Sequence, residues 1–178
     1  MEDIITYMNN GMWKDDQKTE RKIYLHELAK ESSNHANIAS KIGGMLIFNQ
    51  LIEECLKDII EYSSYYMKAI MWPAQVDLSF DFSKTTFGGL IQNFQRFALI
   101  EYNRDIIVDY LRLFGKKRNE VVHHLFDIPD LSVLGVELDD YALRAEEIYF
   151  LLIEYDNCIC EEFCELIEKV DFSSNANQ

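Results

Sequence analysis

Helix-breaking residues are scarce in this chain, which has 2 prolines and 7 glycines in 178 residues. Because so few residues break regular structure, long segments are uninterrupted, which favours long helices over many short strands. The longest segment carries apolar side chains at steps of three and four, which is the spacing of one helix face. Its apolar residues are Ile38, Ile42, Met45, Phe48, Ile52, Cys55, Leu56 and Ile59. The sequence therefore predicts an all-α fold.

Three interruptions divide the predicted helices. Ser32–Asn34 ends the first predicted helix. Trp72-Pro73 ends the long helix, because a residue before proline is pushed out of the α region. Residues 73–84 alternate apolar and polar side chains without a partner strand elsewhere, so we expect an extended linker. Residues 127–138 contain a proline and a glycine and are expected to form a loop.

Hydroxyl and carboxylate side chains mark where two later helices begin. Thr85 or Thr86 is the predicted N-cap of the helix after the linker. Asp139 and Asp140 are the predicted N-cap and first-turn acids of the last helix, which we expect to end near Val170.

Glycines also lie inside two of the predicted helices. Gly43-Gly44 in the long helix either kinks it or lets another helix backbone approach closely. Gly115 is a candidate break in the helix that starts near Tyr102.

Four to five amphipathic helices with short connections predict an up-down helical bundle. The length suits one domain with a single core. We expect residues 1–35 to form an N-terminal segment with a helix, a candidate dimer arm. Residues 36–170 would form the bundle, and residues 171–178 a disordered tail.

The charge of the chain opposes nucleic-acid binding by the whole surface. Acidic residues outnumber basic ones, 31 against 17, and the net charge is −14. A field of that sign repels nucleic acid at long range. Any RNA-binding role must therefore come from a local basic patch.

No leader or membrane segment is evident in the sequence. The start, Met1-Glu2-Asp3, lacks a basic region followed by an apolar stretch, and charged residues interrupt every apolar run well before 18 residues. We therefore expect a cytoplasmic protein that does not enter a membrane.

The four cysteines are expected to be reduced thiols in a cytoplasmic protein. We interpret them as small buried apolar side chains. Cys160 and Cys164 lie one helical turn apart, but no second ligand pair of comparable spacing is nearby. The sequence therefore predicts no metal site and no cofactor.

One short segment, Lys116–His124, concentrates basic chemistry: it holds three of the 17 basic residues and two of the four histidines. Asn119 and His123 are four apart and share one helix face. Arg118 is five residues before His123, about 140° round a helix. The two side chains would reach one substrate from adjacent faces, or a second copy of the chain would complete the site.

These residue types suit cleavage of RNA without a metal. RNA carries its own nucleophile, the 2′-hydroxyl. His123 can move the proton, Arg118 can grip the phosphate, and Asn119 can order either of them by hydrogen bonding. We predict these three as catalytic residues. The predicted substrate-binding residues are Lys116, Lys117, Glu120 and His124.

Arg118-Asn119-Glu120-Val121-Val122-His123 resembles the R-x-x-x-x-H motif of the HEPN superfamily (higher eukaryotes and prokaryotes nucleotide-binding domains), including the asparagine directly after the arginine. Phe48–Leu56 looks like the first core helix of that family, and Thr86–Ile91 resembles a segment often found upstream of the motif. A long helix follows the motif, as in the family. The resemblance covers residues ~36–170.

The resemblance implies a helical bundle that dimerises, so that two copies of the motif form one composite, metal-independent endoribonuclease site. It also implies a toxin or abortive-infection effector with an antitoxin as a further partner. The alternative is a non-catalytic dimeric module of the same fold that binds a nucleotide or a protein. A metal-dependent enzyme that uses the carboxylates ranks last, because the acidic residues form no compact ligand pattern.

Overall fold

The computed structural model describes residues 16–71, 78–98, 100–101, 103–124 and 130–175. Within these residues every regular element is a helix, which confirms the all-α prediction. The helices are α1 (Asp16–Ser33), α2 (Ile38–Ile70), α3 (Phe87–Phe97), α4 (Arg104–His124) and α5 (Leu131–Asn175). None of the described helices combines the length and apolar character that a membrane crossing requires.

The helices form a bundle around α2, which packs against α1, α3 and α5, while α4 packs against α3 and α5. The apolar stripe that predicts α2 is the face that enters the core. Its innermost side chains are at most 1% exposed, and burying one such side chain contributes roughly 1.5–3 kcal/mol. They are Phe48, Leu51, Ile52, Cys55, Leu56, Ile59 and Ile60.

The start of α3 follows the prediction. Thr86 is the N-cap, and its hydroxyl oxygen accepts a hydrogen bond from the backbone N–H of Gly89 at 3.2 Å. Part of the predicted linker, residues 73–77, lies outside the described residues. The described part of the linker, residues 78–84, has no regular secondary structure. Its Phe80 ring packs edge-on against the ring of Phe97 in α3, with 4.7 Å between the ring centroids.

Two predicted interruptions are wrong. Gly115 does not break α4, because it serves packing instead: a Cβ there would lie 3.2 Å from the Phe87 ring. Of the predicted loop at residues 127–138, residues 127–129 lie outside the described residues, and residues 131–138 are helical, since α5 already begins at Leu131. Asp130 initiates it, because its carboxylate accepts the backbone N–H of Ser132 at 2.8 Å. Asp139 and Asp140 therefore lie inside α5 and are not its N-cap.

The two ends of the bundle also differ from the predicted boundaries. Residues 16–35 belong to the packed bundle through α1, whereas residues 1–15, including the predicted turn at Asn9–Gly11, lie outside the described residues. At the other end, α5 continues to Asn175, so residues 171–175 of the predicted tail are helical. Each residue added to an existing helix gains one hydrogen bond, which extends the helix past Val170.

Gly43 and Gly44 form a matched pair of test positions within α2. A Cβ on Gly44 would lie 2.8 Å from the carbonyl oxygen of Ala29 and 2.9 Å from the nitrogen of Ser33, whereas a Cβ on Gly43 meets nothing within 4 Å. The close approach of α1 therefore depends on Gly44 alone, and of the two interpretations of Gly43-Gly44 the close approach is confirmed.

We expect Gly44→Ala to lower the free energy of unfolding by about 1–3 kcal/mol, because α1 must move away from α2. Gly43→Ala should instead raise it by about 0.5–1 kcal/mol, since alanine is the better helix former. Urea unfolding followed by circular dichroism measures both. Equal effects of the two substitutions would contradict the close contact at Gly44.

Candidate functional site

Arg118 lies on the side of α4 that faces the bundle. Its guanidinium is 3.3 Å from a carboxylate oxygen of Glu53 on α2 and lies over the Phe87 ring, 5.3 Å from the centroid. The side chain is only 29% exposed. An ion pair and a cation–π contact together hold the guanidinium in one place. Arg118 is therefore an anchored cation that joins α2, α3 and α4.

A buried tyrosine lies close to this cation. The hydroxyl of Tyr141 on α5 donates a hydrogen bond to the side-chain oxygen of Asn49 on α2. Burial raises the pKa of Tyr141, an effect that the charge of Arg118 partly offsets. The tyrosine is therefore a neutral donor at ordinary pH and ties α5 to α2 beside the Arg118–Glu53 pair.

Asn119 and His123 lie on the other side of α4, where both side chains are exposed. They are one turn apart, so the predicted pairing of these two residues on one face holds. Because α4 is helical throughout, Arg118 lies about 140° round the axis from His123. Within one chain, Asn119 and His123 therefore share an exposed face of α4, whereas Arg118 points toward the bundle.

The remaining predicted residues are mostly engaged in ion pairs. Lys116 lies 3.9 Å from Glu120 one turn later, and Lys117 pairs with Glu137 on α5. His124 is the last residue of α4, and its side chain is not among those described. Each basic residue of the segment thus has a carboxylate beside it, and a phosphate must compete with that carboxylate.

A face of exposed apolar side chains lies on the outside of α4 and α5. It is formed by Ile106, Tyr110 and Leu113 of α4 together with Val136, Leu143 and Phe150 of α5, all more than 40% exposed. The two helices meet here at a groove of about 420 Å³, which Tyr110 and Phe150 both line. Ile106 lines the same groove, and exposed apolar side chains around a groove are typical of an interaction surface.

Sequence reasoning missed a second cluster of charges, which lies inside the bundle. Asp58 of α2 is 2% exposed and pairs with both Lys18 and Lys22 of α1. Asp156 of α5 has a buried carboxylate oxygen without a hydrogen-bond partner among the described residues. Burial, together with the charge of Asp58, raises the pKa of Asp156 to about 6, against the opposing charge of Lys22. The one sequence signal for this buried charge cluster was Asp58, an acidic residue among the apolar residues of α2.

The cysteines do not assemble a metal site among the described residues, where no group of three or more potential ligands occurs. All four are free thiols. Cys55 is buried as predicted, and burial raises its pKa to about 12. Cys164 is exposed, so the prediction of a buried side chain is wrong there, because this position falls on the outer face of α5.

The chain matches no protein-family model, no curated protein and no solved structure.

Proposed function

We propose that the chain is a metal-independent endoribonuclease whose site contains Arg118, Asn119 and His123 and is completed by a second copy of the chain. The observation that carries this proposal is the exposed pair of Asn119 and His123 one turn apart, on the same helix as an anchored arginine. The bundle would be of the HEPN type, and the role that of a toxin or defence effector held in check by an antitoxin.

The angular separation on α4 supports a composite site. Arg118 and His123 point about 140° apart on α4. One chain therefore presents the proton-transferring His123 on one side of the helix and the cation of Arg118 on another. The apolar face of α4 and α5 favours burial against an identical face, as in a two-fold dimer. In the proposed composite site, groups from both chains would surround one phosphate.

The chemistry follows from these residue types. A neutral His123 takes the proton of the RNA 2′-hydroxyl, whose oxygen attacks the adjacent phosphorus. The 5′-oxygen leaves with a proton from the protonated His123 of the second copy. The products are a 2′,3′-cyclic phosphate and a 5′-hydroxyl. Arg118 stabilises the charge on the phosphorane, and Asn119 orders His123 by hydrogen bonding.

One observation favours the alternative, a non-catalytic dimeric module that binds a nucleotide or a protein. Lys116, Lys117 and Arg118 are each paired with a carboxylate of the same chain. Exposed pairs of this kind contribute little, so phosphate can replace the partner of Lys116 at small cost. The Arg118–Glu53 pair is less exposed and costs more to open. We therefore assign Lys116 to initial RNA binding and keep Lys117, Glu120 and His124 as further proposed substrate-binding residues.

The test is an RNA-cleavage assay with the full chain in excess EDTA, with light scattering of the same sample to measure its mass. We expect cleavage that persists in EDTA, products ending in a cyclic phosphate, and the mass of two copies. An RNA with a single 2′-deoxy substitution at the cleavage position should resist. Loss of activity in EDTA would favour a metal-dependent enzyme, and failure to cut varied RNAs would favour the binding module.

A further inference from the structure

A cavity of about 510 Å³ lies between α1 and α2, away from the apolar face. Four of the 17 basic residues of the chain line it, although the net charge is −14. They are Lys18, Arg21, Lys22 and Lys57. The volume falls within the range of roughly 300–1,000 Å³ that is usual for small-molecule sites. The size and the local charge together suggest a small anionic ligand.

Helix geometry explains why the cations converge. Lys18, Arg21 and Lys22 are spaced i, i+3 and i+4, which places them on one face of α1. That face packs toward α2, where Lys57 lines the same cavity. Charges from two helices therefore surround one volume, whereas a chance run of basic residues would point in several directions.

The cavity is also lined by two acidic residues, Glu53 and Glu54, and each of them has a basic partner. Glu54 pairs with Lys57 at 2.6 Å, and Glu53 is engaged by Arg118 on its other side. Lys18 and Lys22 share the single carboxylate of Asp58. Asp156 also interacts electrostatically with these two lysines.

Arg21 is the exception to this pairing. It lines the cavity, is exposed, and has no ion pair or hydrogen bond within the part of the chain that the structure describes. Four cations and two carboxylates, those of Glu53 and Glu54, line the cavity, and Arg21 is the lining cation without a carboxylate partner among the described residues. Arginine presents a planar fork of donors that fits phosphate oxygens bidentately.

We infer that this cavity binds a small phosphate-bearing anion, of the size of a diphosphate, with Arg21 as its principal ligand and Lys18, Lys22 and Lys57 around it. Nothing in this inference depends on RNA cleavage. The diphosphate could be inorganic or part of a nucleotide, since both present the same oxygens to the four cations.

The test is isothermal titration of the full chain with inorganic pyrophosphate and, separately, with a nucleoside diphosphate, at constant ionic strength. We expect saturable binding of one anion per chain. Arg21→Ala should weaken it about 10- to 100-fold, the loss expected for hydrogen bonds to a charged group. Arg96→Ala is the matched control, because Arg96 is exposed at the end of α3 and does not line the cavity.

The titration has clear outcomes. Pyrophosphate binding as tight as that of the nucleotide would identify the phosphates as the recognised group, and tighter nucleotide binding would add a contact to the base or sugar. No saturable heat with either anion would overturn the inference, as would equal affinities of Arg21→Ala and Arg96→Ala. Because Arg21 is exposed, its truncation leaves the core intact, and a melting curve of each variant checks this.

Discussion

Replacing His123 by alanine is expected to lower the rate of RNA cleavage by about 10²- to 10⁴-fold, the usual contribution of a general acid or base. The side chain is exposed on α4 and lies outside the core, so the substitution removes proton transfer without a packing defect. Single-turnover cleavage of one defined RNA in EDTA, compared with the wild-type chain, measures the effect.

His35→Ala is the matched control, because His35 is an exposed histidine in the turn between α1 and α2. It should leave cleavage unchanged. Arg118→Ala is a poorer probe of chemistry, since it also leaves Glu53 without its partner and uncovers the Phe87 ring. Identical rates for His123→Ala and the wild-type chain would remove His123 from the site and with it the proposed mechanism.

Asp58→Ala is expected to cost about 3–5 kcal/mol of stability, the usual penalty for removing one partner of a buried ion pair. The carboxylate is 2% exposed and pairs with both Lys18 and Lys22, so its removal takes one negative charge from beside two ammonium groups. The α1–α2 contact should weaken first. Urea unfolding followed by circular dichroism gives the change in free energy.

Asp109→Ala provides the comparison for this stability measurement. Asp109 pairs with Arg112 at 3.5 Å, but both side chains are more than half exposed. Solvent screens such a pair, and we expect little change in stability. If Asp58→Ala proved as stable as Asp109→Ala, the buried charge cluster would not be what holds α1 in place.

Much of the fold could be predicted because helix signals are local. The steps of three and four in α2, and the threonine at the start of α3, act within a few residues of themselves. One error arose where distant packing overrode a local signal, and another arose where one local signal prevailed over a second. Gly115 stays helical because Phe87, 28 positions away, fills the space beside it. The loop prediction for residues 127–138 failed over residues 131–138, because Asp130 begins α5 earlier than the two later aspartates would.

The sequence by itself determined the helices and the relative directions of Arg118, Asn119 and His123, since a regular helix sets the angle between any two of its positions. Only the tertiary structure decided which of these side chains is anchored. Glu53 and Phe87 hold Arg118 from two other helices, and no local pattern in α4 specifies either partner. The same holds for the buried Asp58 and for the cavity with Arg21, because both exist only where α1 and α2 meet.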